Sequence, residues 1–134
     1  MNSGVVLDAS ALLAYLFDEP GAEEVEGAMS GRAAISIVNW AEVLSKSAEK
    51  GANPQEVEGW FKAQGILGRS VKVTPVIRID AMRIAQLRPL TRARGLSLGD
   101  RACLALGLRL KLPVLTAERR WEELELGVRL QVIR

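Results

Sequence analysis

The chain has 134 residues, of which 49% are hydrophobic and 25% are charged, and its net charge is +2. This composition is typical of a folded domain, and we predict a single domain that spans residues 1–134. The absence of histidine excludes Ser-His-Asp and Cys-His catalysis, and a single cysteine excludes an internal disulfide and a zinc site of several thiolates. No signal peptide and no apolar run of roughly 20 residues is visible, so we expect a cytoplasmic protein without a membrane segment.

Strand-like and helix-like patterns alternate along the chain. Short apolar runs predict strands at 4–7, 33–36, 71–74, 113–116 and 129–133. Helical spacing predicts helices at 10–17, 21–29, 37–48, 54–67, 79–92 and 98–110, and a short last helix near Trp121. This alternation indicates an α/β protein, a three-layer α/β/α sandwich with a mostly parallel central sheet of about five strands.

Four acidic residues stand out because they fall at element boundaries or on a helix flank. Asp8 and Glu118 follow the first and fourth predicted strands, Asp100 lies at a predicted helix start, and Glu42 lies within a helix. The carboxyl ends of parallel strands meet at one edge of a sheet, where ligands bind. A group of carboxylates at that edge favours a hard cation.

Each acid also has a structural interpretation. Asp8 can cap the first helix, although Ser10 can fill the same role, and Asp100 has capping-box spacing from Ser97. Glu42 can pair with Lys46 on the helix surface, and Glu118 can belong to a surface ion-pair cluster. The core face of the Glu42 helix is predicted to comprise Ile37, Ala41, Leu44 and Ala48.

Taken together, the four acids and their surroundings resemble the PIN-domain ribonucleases, and within them the VapC-type toxins of toxin–antitoxin pairs. The resemblance is carried by segments 6–14, 39–44, 95–106 and 112–118, and it extends over essentially the whole chain. It implies that Asp8, Glu42 and Asp100 are metal-binding acids, with Glu118 at the fourth acidic position. Such toxins more often carry Asp at that position. The difference affects the expected binding of a second metal ion more than the expected activity. Ser10 and Thr116 match accessory polar positions.

The resemblance implies a metal-dependent endoribonuclease that hydrolyses RNA phosphodiester bonds with Mg²⁺ or Mn²⁺ and no nucleotide or organic cofactor. It also implies a small antitoxin as partner, and a homodimer. One alternative is a PIN-fold RNA-binding or interaction module with a silent or non-toxin site. A phosphotransfer enzyme is disfavoured, because Ser10 stands where Asp-x-Asp would need its second Asp, and Val73-Thr74-Pro75 offers no phosphoacceptor after a middle strand.

Charge is unevenly distributed along the chain. Residues 1–68 carry four basic and ten acidic side chains, a net −6, and residues 69–134 carry fourteen basic and six acidic ones, a net +8. This asymmetry predicts either a polyanion-binding surface or a solvated basic helix face. Near the predicted site, the arginines expected to hold an RNA backbone are Arg88, Arg92, Arg94, Arg101 and Arg119.

Apolar residues on the N-terminal helices are candidates for partner surfaces, with core burial as the alternative. They are Leu12, Leu13, Leu16, Phe17, Val25 and Met29, together with Trp60-Phe61 on a later helix. Trp40, Trp60 and Trp121 can stack on bases, but aromatic residues at helical spacing more often belong to a core or an interface. Cys103, in an apolar stretch, is predicted to be a small core residue.

Overall fold

A five-stranded sheet, parallel throughout, organises the computed structural model, which describes residues 4–134. The strand order is β3-β2-β1-β4-β5. The register between neighbours pairs Val6 with Val114 and Leu7 with Ile35. The strands are β1 (Val5–Leu7), β2 (Ala33–Ser36), β3 (Val71–Thr74), β4 (Val114–Thr116) and β5 (Leu130–Val132).

Within residues 4–134, six α-helices connect these strands, close to the positions that the sequence predicts. They are α1 (Ala9–Leu16), α2 (Ala22–Gly31), α3 (Ile37–Glu49), α4 (Pro54–Ala63), α5 (Arg78–Thr91) and α6 (Leu98–Leu110). One predicted helix end and one predicted helix were wrong. Helix α4 stops before Gly65, whose φ of 73° ends helical geometry, and the last helix is only a 3₁₀ turn, Arg119–Trp121. Among the helices of residues 4–134, none is both long and apolar enough to cross a membrane.

Side chains alternate between two apolar layers, one on each face of the sheet. Leu7, Ile35 and Leu115 pack with residues of α1 to α4. Their neighbours in the strands pack instead with α5 and α6, forming a second core with Val6, Ala34, Leu87, Cys103, Leu104, Val114 and Trp121. The predicted three-layer α/β/α sandwich is therefore confirmed.

The rotation of α3 about its axis differs from the sequence prediction. Its buried residues are Asn39, Trp40, Val43 and Ser47, whereas Ile37 is 44% exposed and Ala41 and Ala48 are also exposed. Hydrophobicity alone misplaced this face, because two polar residues turn inward, where Asn39 Nδ2 and Ser47 Oγ find acceptors. Ser47 Oγ, for example, donates to the Val43 carbonyl at 3.0 Å.

Several apolar residues proposed as partner surfaces belong to the core instead. Leu12, Val25 and Phe61 are fully buried and Met29 is 5% exposed, because each side chain points toward the sheet. Phe17 and Trp60 remain partly exposed. Trp40 and Trp121 are buried, so of the three tryptophans only Trp60 keeps a surface available for stacking.

The order of the strands determines where a ligand can bind. The chain proceeds outward from β1 through β2 to β3, then returns to the other side of β1 with β4 and β5. The connections therefore diverge between β1 and β4, leaving a crevice at their carboxyl ends. Asp8 directly follows β1, and Thr116 is the last residue of β4.

Candidate metal centre

Asp8 both caps α1 and stands in the crevice, so the two interpretations are compatible. Its Oδ1 accepts hydrogen bonds from the Ala11 amide and from Ser10 Oγ, both at 2.8 Å, and its Oδ2 accepts one from Thr116 Oγ1 at 2.6 Å. The side chain is buried. Burial raises the pKa of Asp8 to about 7, with the negative charge of Asp100 adding to the shift and the hydrogen bonds opposing it.

Ser10 and Thr116 connect Asp8 to the end of β4. Their hydroxyl oxygens are 3.3 Å apart. Ser10 Oγ accepts from the Ala117 amide at 2.9 Å, and Thr116 Oγ1 accepts from the Glu118 amide at 3.0 Å. Both hydroxyls thus fix the backbone after β4 relative to the buried carboxylate.

Asp100 uses one oxygen of its carboxylate to cap α6. Ser97 Oγ accepts from the Asp100 amide at 3.1 Å, and Asp100 Oδ2 accepts from the Ser97 amide at 2.8 Å, which completes a capping box at the start of α6. No hydrogen bond from residues 4–134 reaches Oδ1. One oxygen is therefore available to a cation without loss of the cap.

Glu42 contacts α6 and not Lys46, so the alternative interpretation of Glu42 as a partner of Lys46 does not hold. Lys46 pairs with Glu49 at 3.5 Å. The buried Asn39 side chain donates from Nδ2 to Glu42 Oε1 at 2.8 Å and to the Gly99 carbonyl at 2.9 Å. The different rotation of α3 explains this, because it places both residues on the side of the helix that faces α6.

The charges of three carboxylates act on the buried thiol of Cys103. Burial raises the pKa of the Cys103 thiol, and the negative charges of Asp8, Asp100 and Glu42 raise it further. Within residues 4–134, no three acidic or cysteine side chains are already arranged as a metal cluster. The donors nevertheless fit Mg²⁺ or Mn²⁺, because they are carboxylate and hydroxyl oxygens, and a cation would relieve the raised pKa of Asp8.

Glu118 lies at the edge of this group, and its partner is Arg120. Arg120 Nε lies 3.5 Å from Glu118 Oε2, and Arg120 Nη2 lies 3.4 Å from Asp100 Oδ2. Of the ion-pair cluster that the sequence allows, the Glu118–Arg120 pair is present, and it extends to Asp100, a predicted metal ligand. Arg119, by contrast, donates from Nε to the Arg134 carbonyl at 3.0 Å.

The five arginines predicted to bind RNA occupy different environments. Arg88 and Arg92 are exposed. Arg94 Nη1 donates to the carbonyls of Arg120 and Glu122 at 3.0 and 2.7 Å, and Arg101 Nη1 donates to the Ile84 carbonyl at 2.9 Å. These two guanidinium groups therefore support the fold around the crevice as well as contributing charge.

Sequence reasoning missed three residues of the site. Asn39 and Gly99 position Glu42, and Arg120 bridges two of the acids. For Asn39 a signal was present, since it precedes Glu42 by three residues on one helix. For Gly99 and Arg120 the relevant partner is distant along the chain, so no local pattern marks them.

A search among curated proteins finds no match to this sequence. Solved structures do match. A chain in a toxin–antitoxin complex from Klebsiella pneumoniae has 17% identity and a TM-score of 0.73, with 98% of each chain covered. A chain in DNA-bound VapBC from Salmonella typhimurium has 17% identity and a TM-score of 0.70, with 99% of this chain and 100% of that chain covered. A chain of FitAcB from Neisseria gonorrhoeae has 20% identity and a TM-score of 0.67, with 94% and 95% covered.

Because the sequence identities are low, these matches show that the chain shares its fold with those structures. The family described as PIN domain matches residues 5–126, which include all four acids of the candidate centre. The match covers most of the sequence and agrees with the fold, and it confirms the family resemblance carried by the sequence motifs. The chain belongs to the PIN domain family.

Proposed function

We propose that this protein is a metal-dependent endoribonuclease that hydrolyses RNA phosphodiester bonds. The observation that carries the proposal is the placement of the acids. Asp8 directly follows β1 and is hydrogen-bonded to Thr116 at the end of β4, and Glu42 is held by Asn39 against Gly99, the residue before Asp100. PIN domain proteins are nucleases that generally use divalent metal ions, which supports the same conclusion. The absence of histidine from the sequence leaves carboxylates as the chain's own candidates for this chemistry.

Asp8 and Asp100 would hold Mg²⁺ or Mn²⁺ directly, and Glu42 would hold it through water or orient the attacking water. When bound, the ion lowers the pKa of a water and neutralises charge on the phosphate. Asp8 must be deprotonated to serve as a ligand, and the hydroxyls of Ser10 and Thr116 favour that state by donating to it. Asn39 keeps Glu42 turned toward α6.

The RNA backbone would approach from the side of α5 and α6, where the second half of the chain carries its net positive charge. Arg88 and Arg92 are the exposed candidates for phosphate contacts there. Arg94, Arg101 and Arg119 donate to backbone carbonyls, so they would contribute mainly through their charge.

The biological role that we propose is that of a cytoplasmic toxin neutralised by a small antitoxin protein, with the toxin as a homodimer. Support comes from the similar solved structures, which are toxin–antitoxin complexes. Phe17, just after α1, and Trp60, on α4, remain partly exposed in segments that the sequence indicates as partner surfaces. An antitoxin gene beside this one would favour a toxin over an RNA-processing nuclease.

The decisive experiment measures cleavage of a labelled RNA by purified protein in Mn²⁺, in EDTA, and after Mn²⁺ is restored. We expect cleavage to disappear in EDTA and to return with the metal. Glu42→Gln should lower the rate by roughly a hundredfold or more. The matched control is Glu49→Gln on the same helix, whose carboxylate only pairs with Lys46 and which should cleave normally.

Asp100 is best tested with Asn, because the amide oxygen can still accept from the Ser97 amide and keep the cap. Asp100→Asn should remain folded and lose cleavage. Full activity of Asp100→Asn, or cleavage that survives EDTA, would contradict the proposal. RNA binding by the unaltered protein without any cleavage would instead indicate a PIN-fold binding module with a silent site.

A further inference from the structure

Arg120 stands between two acids of the candidate centre. Its Nη2 is 3.4 Å from Asp100 Oδ2 and its Nε is 3.5 Å from Glu118 Oε2. Its third nitrogen, Nη1, donates to the Gly95 carbonyl at 3.2 Å. All three nitrogens of one guanidinium therefore have partners, and two of these partners are oxygens of predicted metal ligands.

The backbone that carries Arg120 is fixed from two sides. Trp121, the next residue, is fully buried in the core beneath α6. Arg94 Nη1 donates to the carbonyls of Arg120 and Glu122, which ties the 3₁₀ turn to the loop before α6. Core packing and hydrogen bonds thus hold the backbone from which the guanidinium extends, unlike that of an isolated surface ion pair.

One oxygen of each acid that a second ion would bridge is already engaged. Asp100 Oδ2 accepts from the Ser97 amide and pairs with Arg120, and Glu118 Oε2 pairs with Arg120 as well. An arginine stays protonated at every physiological pH, so its charge cannot be lost to admit a metal. A divalent ion between these two acids would have to displace the guanidinium against charge repulsion.

We propose that the guanidinium of Arg120 takes the place of a second cation between Asp100 and Glu118, so that this centre holds a single divalent ion. The inference rests on the proposed metal-dependent function and makes it more specific. Asp8, Glu42 and the free Oδ1 of Asp100 then hold the ion, while Glu118 serves as a partner of Arg120. Arg120 is a positioning residue, and it determines the number of metal ions.

The test counts bound Mn²⁺ by isothermal titration calorimetry and by electron paramagnetic resonance, without RNA. Unaltered protein should bind one ion. Arg120→Gln should bind two, with the second site at least about tenfold tighter than any second binding to the unaltered protein. The matched control is Arg119→Gln, which removes the same charge from the neighbouring residue and should still bind one, because Arg119 contacts the Arg134 carbonyl and none of the four acids.

Two further variants identify the cause. Arg120→Lys keeps the positive charge and should still bind one ion. Arg120→Gln combined with Glu118→Gln should return from two ions to one, because the second site loses its carboxylate. Circular dichroism verifies folding, which Arg120→Gln should retain because its side chain is 46% exposed. Should it not fold, Arg120→Met provides the same count.

Two ions bound by the unaltered protein, or one bound by Arg120→Gln, would overturn the role of Arg120 while leaving the proposed nuclease intact. Failure of every variant and of the unaltered protein to bind Mn²⁺ would overturn both proposals together. The two failures are therefore distinguishable from the titrations alone.

Discussion

The carboxylate of Glu42 lies directly against the Cα of Gly99. A Cβ at residue 99 would stand 2.6 Å from Glu42 Oε2 and 2.7 Å from Oε1, closer than side-chain carbons approach other heavy atoms. Gly99 is buried within α6, immediately before Asp100. The missing side chain of one residue thus makes room for a predicted metal ligand from another helix.

Gly99→Ala should separate activity from stability. The added methyl group must displace the end of the Glu42 side chain, which is flexible, so we expect RNA cleavage and Mn²⁺ affinity to fall at least about tenfold. Alanine also favours the helix by roughly 0.5–1 kcal/mol, which offsets the crowding. Urea unfolding should therefore show little change. A loss of stability without a loss of Mn²⁺ affinity would show that Gly99 serves only packing.

Asn39→Leu should weaken both the fold and the site. The substitution leaves the Gly99 carbonyl without its buried donor and releases Glu42, so the free energy of unfolding should fall by about 1–3 kcal/mol. Mn²⁺ affinity should fall as well, since Glu42 is no longer oriented. Urea unfolding and Mn²⁺ titration measure the two effects. As control, Asn53→Ser exchanges the cap of α4 for another capping residue and should change neither by much.

The raised pKa of Asp8 predicts an unusual dependence of stability on pH. The native carboxyl has a pKa of about 7 against an ordinary value of 3.8, so the native state binds more protons than the unfolded state between these values. Without metal, this group should make the protein less stable as the pH rises from 5 to 7, by up to ~1.4 kcal/mol per pH unit. Urea unfolding in EDTA measures the slope.

Two controls accompany that measurement. Asp8→Asn, which cannot ionise, should remove most of the slope. Mn²⁺ should stabilise the protein more at pH 8 than at pH 6, because binding requires the deprotonated carboxylate. An unaltered protein whose stability rises from pH 5 to 7 in EDTA, with the same rise in Asp8→Asn, would contradict the assignment.

The arginines should divide into two groups when each is replaced by glutamine. Arg88→Gln and Arg92→Gln should leave the free energy of unfolding within about 0.5 kcal/mol and weaken RNA binding, because both side chains are exposed. For each RNA phosphate that is no longer neutralised, the slope of log affinity against log salt concentration should become less negative by about 0.7. Fluorescence anisotropy at several salt concentrations measures this. Unchanged affinity and slope would support a solvated basic face.

Arg94→Gln should behave differently, because its guanidinium supports the carbonyls of Arg120 and Glu122. We expect the free energy of unfolding to fall by roughly 1–2 kcal/mol. A further expectation is that Mn²⁺ stoichiometry becomes sensitive to temperature, as the turn that carries Arg120 loosens. Stability equal to that of Arg88→Gln would show that these hydrogen bonds contribute little.

Much of the fold could be predicted from local patterns. Helix α6 begins and ends where its capping box and apolar spacing indicate, and strands β2 and β3 fall where their apolar runs do. The face of α3 was mispredicted because Asn39 and Ser47 are buried and donate hydrogen bonds there, which hydrophobicity does not register. The end of α4 was missed because Gly65 outweighed the apolar residues after it.

The sequence by itself determined which chemical groups this protein has: carboxylates at predicted strand ends and at a helix start, no imidazole, and a basic second half. These follow from composition and short-range spacing, which the chain carries whether or not it is folded. Only the tertiary structure decided that Glu42 contacts Gly99 and that Arg120 joins Asp100 to Glu118. Such contacts depend on helix rotation and on packing between segments distant in sequence, and those are properties of the whole core.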